Sequence, residues 1–272
     1  MTPTESSTGT SYRSTFWPYT RFQFFASWRQ TSFWAIGLII YCGLIVGIYP
    51  SVSDAIDISL IPANLRAAFN INDFTQLASF LSSELFGVIL PLLLPFYGII
   101  ALSNVVAGAE ERGRLDVLLG NPIPRRHLIL GSFLVVAVFL LFLTAVIGTV
   151  VFSVANALDL NLSARQTVRA AFALWPLTLA FSAFALAMSS MVRQRSVALG
   201  VPAAILFLMY LMNVIGRLAP SVSGIRFASA YHYYGSSIID GVWWTGVAVL
   251  LAAAAIMVGL AVAMFDRRDI YA

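Results

Sequence analysis

Six long apolar runs, none interrupted by an acidic or basic residue, constrain the fold of this chain more than any other feature. They cover residues 33–49, 85–107, 128–154, 170–192, 197–215 and 242–265. A helix needs about 20 apolar residues to cross the hydrocarbon core of a bilayer, and lipid offers no partner for unpaired backbone groups. The runs are too long and too apolar for barrel strands. We therefore expect six transmembrane helices, the first extending back towards Ser27.

Composition agrees with this interpretation. The chain is 60% hydrophobic and 10% charged, whereas soluble domains are about 45–50% apolar and about 25% charged. The fold class we predict is an all-α integral membrane protein. Residues 1–15 are rich in Ser and Thr and show no signal peptide, so we expect a disordered cytoplasmic tail followed by one six-span domain over residues 16–272. The single cysteine, Cys42, lies in an apolar run and cannot form an internal disulfide.

The arginines predict the orientation of the spans. All sixteen basic residues are arginine, and they flank the apolar runs rather than one soluble face, so nucleic-acid binding is not expected. Eleven lie on one side of the predicted membrane: Arg13, Arg21, Arg29, Arg112, Arg114, Arg125, Arg126, Arg193, Arg195, Arg267 and Arg268. The other five are on the opposite side. The positive-inside rule places the eleven in the cytoplasm, together with both termini, in a multi-pass protein of the plasma membrane.

Two flanking segments carry weaker signals. Residues 17–30 have an apolar and a polar helical face, which predicts a short amphipathic helix in the inner interface; a plain cytoplasmic start to the first span is the alternative. Outside, Asp73 and Gln76 have the spacing of a helix cap. The aromatics of residues 216–241, which are Phe227, Tyr231, Tyr233 and Tyr234, suggest that this stretch dips into the outer interface.

The segment between the second and third runs, residues 106–127, concentrates charge in a chain that has little of it. Its sequence is VAGAEERGRLDVLLGNPIPRRH. On a helix over residues 109–119, Leu115, Leu118 and Leu119 form one narrow apolar face, and Glu110 can pair with Arg114 four residues later. This face is too small to be a core, and the acids would be repelled by anionic headgroups. A helix that docks in a groove of another protein is favoured over a structural loop.

The same segment resembles the signature region of bacterial and archaeal ATP-binding cassette (ABC) type-2 permeases. The resemblance covers Glu110 to Ser132, with Arg114 in place of the usual threonine and Ser132 in place of the usual lysine. The matching residues are Glu110, Glu111, Gly113, Leu115, Asp116, Leu118, Leu119, Pro122, Pro124, Arg125 and Gly131. The six-span layout, the stretch ASAYHYYG before the last run and the tail FDRRDI also resemble that family.

The resemblance implies a coupling helix that sits in a groove of a separate ABC ATPase subunit, in a transporter of two permeases and two ATPases. On this basis the ATPase-coupling residues are Glu110, Glu111, Arg114, Leu115, Leu118 and Leu119. The first and fifth spans of that family meet across the dimer, which is either a homodimer or a related heterodimer. Gly43, Gly47 and Gly200 are candidates for this contact, although packing within one chain is the equal alternative.

The functional expectation is a permease subunit of an exporter for a hydrophobic or amphipathic substrate such as a drug or lipid. No catalytic, metal or cofactor site is expected in this chain. A P-loop requires a lysine and the sequence has none, so we expect ATP and Mg to be bound by the partner ATPase. The spans also lack the ionisable interiors of ion-coupled carriers. A non-transporting membrane anchor that docks a cytoplasmic partner is the alternative. An intramembrane enzyme is disfavoured, because His127 and His232 lack metal-ligand or nucleophile partners in sequence.

Overall fold

The computed structural model describes residues 16–55, 77–113, 124–235 and 238–267, and within them the regular structure is helical with no strand. Six helices are long and apolar enough to cross a membrane, which confirms the predicted fold class. They are α1 (Phe16–Ala55), α2 (Leu77–Ser103), α4 (Arg125–Ala157), α5 (Ala164–Met191), α6 (Arg195–Leu218) and α8 (Trp244–Asp266). Two short helices, α3 (Ala107–Glu111) and α7 (Ala230–Tyr234), lie between spans. The expected tail at residues 1–15 and the predicted cap at Asp73 and Gln76 fall outside the described residues.

The first span and the predicted entry helix are one element. Helix α1 continues without interruption from Phe16 to Ala55, so no break separates residues 17–30 from the first span. At about 1.5 Å per residue, its 40 residues extend for about 60 Å, about twice the thickness of the hydrocarbon core. That residues 17–30 lie in the inner interface stays a prediction.

The second span differs from its predicted limits at both ends. It begins at Leu77, eight residues before the predicted start, and so contains the exposed Glu84. It consists of a short α-helical part at Leu77–Ser83, a π-helical turn at Leu85–Ile89 and a second α-helical part at Leu90–Ser103. It ends at Ser103 rather than at residue 107, because the backbone amides of Val106 and Ala107 donate to the Ser189 hydroxyl instead of continuing the helix.

Helix α5 is the centre of the bundle. It packs against α2, α4, α6 and α8, and 72% of its most apolar window is buried, against 22–28% for α1, α6 and α8. Its contact with α2 is closest at Gly98, where the Ser182 side chain occupies the space that a Cβ would take. Since α1, α6 and α8 leave most of their apolar surface uncovered, these helices face lipid or another subunit.

The two ends of the bundle are distinguished by their connections. We call the end that carries residues 106–113 the near end, and the other the far end. At the far end a 3₁₀ segment, Pro220–Ala228, leads into α7, which folds back on the bundle. Phe227 is 65% exposed, in keeping with an interfacial aromatic, but Tyr231 and Tyr234 are buried. The hydroxyls of these two tyrosines donate to backbone carbonyls inside the bundle. That the stretch 216–241 dips into the outer interface stays a prediction.

Candidate coupling site

The 106–127 segment begins with a short helix that is tied to the bundle. Helix α3 ends at Glu111, and Gly113 adopts a φ of +63°, a left-handed conformation in which glycine avoids the strain of other residues. The continuous helix predicted over residues 109–119 is therefore wrong as one element: it is broken at Arg112 and Gly113. Arg114, Leu115, Leu118 and Leu119 lie outside the described residues, and their coupling role stays a prediction.

Ser189 fixes the start of α3. This fully buried residue lies at the near end of α5, and its hydroxyl accepts from the amides of Val106 (3.3 Å) and Ala107 (3.0 Å). The same hydroxyl donates to the carbonyl of Ser103 at 3.0 Å. The first N–H groups of a helix have no partner within the helix, and the last carbonyls are in the same situation. One serine thus satisfies the end of α2 and the start of α3 together.

The two acidic residues of helix α3 contact the turn between the fourth and fifth spans. The carboxylate of Glu110 lies 3.6 Å from the Arg193 guanidinium. A carboxylate oxygen of Glu111 accepts the backbone N–H of Arg195, the first residue of α6, at 3.0 Å. An anion at this position is favoured because the partial positive charge of a helix is at its N-terminus. Glu111 therefore serves as a cap for α6 supplied from a distant part of the chain.

Helix α3 sits tightly against this turn. A Cβ on Gly108 would lie 2.6 Å from the Asn104 Oδ1 and 3.3 Å from the Arg195 Cδ, so a side chain does not fit there without movement. Asn104 Oδ1 also accepts from the Arg112 guanidinium at 3.0 Å. The contacts of Gly108, Asn104 and Glu111 all connect the 106–127 segment to α2 or α6. A displacement of the segment would therefore be transmitted to both helices.

The remaining near-end connections meet in the same region. The Arg125 guanidinium donates to the carbonyl of Phe265 at 3.1 Å and lies 5.6 Å from the centre of its ring. This caps the C-terminus of α8, where cations are favoured. Near the start of α1, the hydroxyls of Tyr19 and Ser132 are 2.9 Å apart and buried. Ser132, which replaces the usual lysine of the permeases that this segment resembles, is thus used for packing α1 on α4.

A cavity of about 630 Å³ opens beside the segment. It lies between α1, the end of α2, α3 and α4, and its wall combines apolar side chains with polar ones. The polar residues are Gln23, Ser27, Gln30, Asn104, Arg112 and Ser132. Because Ala109 and Arg112 form part of the wall, the shape of this cavity depends on the position of the 106–127 segment.

The glycines proposed for helix contacts have few neighbouring atoms within this chain. A Cβ on Gly47 or Gly200 would meet nothing within 4 Å, and on Gly43 it would only reach Val150 at 4.0 Å. Packing inside one chain therefore makes little use of the small residues at positions 47 and 200, on α1 and α6. Both helices keep an open face there that another subunit or lipid can cover.

Sequence reasoning missed Ser189, Arg193 and Arg195 as parts of this site. The two arginines were visible only as markers of orientation, and Ser189 was one polar residue in an apolar helix. Their partners are more than 80 residues away, so no local pattern could have found them. Within the described part of the chain, no three His, Cys, Asp or Glu residues are grouped in a way that could hold a metal ion.

Comparison with known protein families identifies the architecture. The model of the family described as ABC-2 family transporter protein matches residues 23–270, nearly the whole chain. No match was found among curated proteins. The family match covers the six spans, the 106–127 segment and the near-end contacts of Glu110 and Glu111. This multi-pass membrane protein belongs to the ABC-2 transporter family.

Proposed function

We propose that the chain is the permease subunit of an ATP-driven exporter, and that residues 106–127 receive the motion of a separate ABC ATPase. The observation that carries this proposal is the contact of Glu111 with the backbone N–H of Arg195. Together with the Ser189 hydrogen bonds, it makes the segment a junction of the second, fourth and fifth spans. In covalent terms the segment joins only the second and third spans.

The expected mechanism is a change of access driven from the near end. A push on Leu115, Leu118 and Leu119 would reach α3, and α3 would pass it to α5 through Ser189 and to α6 through Glu111. Ala109 and Arg112 line the 630 Å³ cavity, so the same movement would change its opening. An external drive of this kind shifts the balance between two packings of the bundle, since packed helices are bistable rather than continuously deformable.

Two copies of the chain are proposed to associate through α1 and α6. Both helices present uncovered apolar side chains, including Phe33 at 78% and Phe207 at 55% exposure, and both carry a glycine with open space above it. Small residues let membrane helices approach closely. The near end is proposed to be cytoplasmic, as the arginine distribution predicts. ATP and Mg would bind to the ATPase, and the substrate would be a hydrophobic or amphipathic molecule.

The coupling role is tested by placing charges on the apolar face formed by Leu115, Leu118 and Leu119, the leucine face. The chain is reconstituted in vesicles with a nucleotide-binding ATPase encoded beside it, and ATP hydrolysis is measured with and without the permease. The Leu115→Asp/Leu118→Asp variant should insert normally but abolish stimulation, because burying two unpaired carboxylates in an apolar groove is strongly unfavourable. Unchanged stimulation in this variant would refute the coupling role.

Val117 offers a matched control. On a helix it lies about 200° from Leu115, so Val117→Asp adds a charge to the same segment away from the leucine face. Stimulation should survive in this variant. The alternative of a membrane anchor is tested with a fluorescent phospholipid analogue in the same vesicles: an anchor would bind the ATPase through the leucines but give no ATP-dependent movement of the probe.

A further inference from the structure

A furrow runs along the outer surface of the α4–α5 pair, in the half of the bundle towards the far end. It has a volume of about 370 Å³ and is lined by small and apolar side chains, among them Leu141, Ala145, Gly148, Thr149, Ala171 and Phe172. Its floor is where the helices are closest: a Cβ on Gly148 would lie 3.1 Å from that of Ala171. Larger side chains rise on both sides, and Val168 on the rim is 65% exposed.

The length of the furrow corresponds to one leaflet of a bilayer. On α4 its lining extends from Leu141 to Phe152, and the eleven steps between them rise about 16 Å at about 1.5 Å per residue. The hydrocarbon core is about 30 Å thick, so the furrow covers about half of it. A helix from another copy of the chain would need to pack along the full core, whereas an acyl chain from one leaflet would fill this length.

The far-end mouth of the furrow carries two charged side chains. A second depression, of about 430 Å³, shares Val168 and Phe172 with the furrow and is completed by Arg169, Asp240 and Trp244. Arg169 is half-buried, and among the described residues it forms no ion pair, although Asp240 lines the same depression. Arg169 lines this depression, where its guanidinium can contact an anion from the bilayer surface.

An aromatic pair marks the level of the bilayer surface at this mouth. Trp244, the first residue of α8, is 68% exposed, and its ring lies 6.2 Å from that of Phe172. Tryptophan at the end of a span is enriched at the depth of lipid headgroups. Arg169 shares its depression with this tryptophan, so we expect the guanidinium at the depth where lipid phosphates lie.

We propose that the furrow and its mouth form a binding site for one glycerophospholipid of the far-end leaflet. The acyl chain lies between α4 and α5 over Gly148 and Ala171, and the phosphodiester accepts hydrogen bonds from Arg169 beside Trp244. A guanidinium matches the oxygens of a phosphate in a planar, two-pronged geometry. The nearby Asp240 disfavours ligands with several negative charges, which favours a single phosphodiester. This site does not depend on the proposed transport function.

The role of the Arg169 charge in binding the phosphodiester is tested by native mass spectrometry of the purified full chain in detergent. Phosphatidylglycerol and diacylglycerol with the same acyl chains are added separately, and the retained lipid is counted. The wild type should retain phosphatidylglycerol more tightly than diacylglycerol. Arg169→Gln should reduce the affinity for phosphatidylglycerol by about tenfold, the usual effect of losing one charge-assisted contact, and leave diacylglycerol unchanged. Arg126→Gln, at an exposed arginine of the near end, is the matched control and should behave as the wild type.

The furrow is tested by filling it. Ala145 and Thr149 are exposed on α4 and face the furrow, so Ala145→Phe/Thr149→Phe keeps the surface apolar and should preserve the fold while weakening both lipids. An unchanged preference for phosphatidylglycerol in Arg169→Gln would overturn the assignment of the headgroup. Unchanged retention of both lipids in the filled variant would overturn the site. A loss of dimer mass with lipid retention intact would show that a second copy covers the furrow instead.

Discussion

The hydroxyl of Tyr231 donates a hydrogen bond to the carbonyl of Pro91 at 3.0 Å, across 140 residues of sequence. In an α-helix this carbonyl would accept from the N–H of residue 95, but residue 95 is proline and has no N–H. The carbonyl is buried in the bundle, where water does not reach it. A hydroxyl from the short helix α7 therefore supplies the partner that Pro95 removes.

Tyr234 repeats this arrangement one turn earlier. Its hydroxyl donates to the carbonyl of Phe86 at 2.9 Å. The π-helical turn bonds each carbonyl to the N–H five residues ahead, as Leu85 does with Leu90. Phe86 would then need the N–H of residue 91, which is also proline. Each of the two prolines of α2 thus frees one carbonyl, and each carbonyl is satisfied by one tyrosine of α7.

The pairing predicts a double-mutant cycle. Tyr231→Phe should lower the free energy of unfolding by about 1 kcal/mol, the scale measured for hydrogen bonds between membrane helices. In a Pro95→Ala background the restored N–H satisfies the Pro91 carbonyl, so the same substitution should cost much less. The measurement is denaturant unfolding in detergent micelles. Equal costs in both backgrounds would mean that the hydroxyl does not compensate for the proline.

The sequence predicted the parts of this contact but not the contact itself. Two prolines in one apolar run, Pro91 and Pro95, predict a distorted second span from sequence alone. The aromatics of residues 216–241 predict a segment beside the membrane. Apolar runs and proline positions are local signals, so spans, turns and kinks can be derived from them. Which tyrosine meets which carbonyl depends on how the helices pack, and the side chains that decide it are far apart in sequence. The same applies to Ser189 and to the Glu111 cap, whereas the location of the charged segment was evident from its composition.

The close contact of Gly98 with Ser182 predicts that a larger residue at position 98 lowers the stability of the bundle by an amount that depends on Ser182. Its missing Cβ leaves room for the Ser182 side chain, whose hydroxyl donates to the backbone carbonyl of Thr178 at 2.6 Å. Gly98→Ala should therefore destabilise the bundle by about 1–3 kcal/mol through overpacking. A Ser182→Gly background removes the clash and should recover most of the loss. Gly259 is the control, because a Cβ there meets nothing within 4 Å; Gly259→Ala should unfold at the wild-type temperature or above.

The contribution of the Glu111 cap can be measured by amide hydrogen exchange at the start of α6. Glu111→Ala removes the acceptor of the Arg195 N–H and should increase exchange of the first amides of α6 by about fivefold, the equivalent of about 1 kcal/mol for a lost cap. Glu111→Gln keeps an acceptor oxygen and should have a smaller effect. Glu110→Ala is the matched control, since its ion pair with the 74% exposed Arg193 is a surface contact of little energy. If both alanine variants changed exchange equally, the effect would not arise from the cap.

His232 gives the far end a pH dependence. Burial lowers the pKa of this imidazole, and the nearby Arg226 and Arg217 lower it further. The pKa in the folded state therefore lies below the unfolded value of about 6.5, so the unfolded chain binds the extra proton first. Stability should be full above that value and fall as the pH drops below it.

The test of this dependence is a phenylalanine at the same position. His232→Phe keeps the ring contacts with Phe227 (4.9 Å) and Trp243 (5.5 Å) and removes the titration. The melting temperature of the wild type in detergent should decrease between about pH 7 and about pH 5 more than that of the variant, because only the wild type must keep a neutral imidazole beside two arginines. Parallel melting curves for the two proteins over this range would assign the acid sensitivity to other groups.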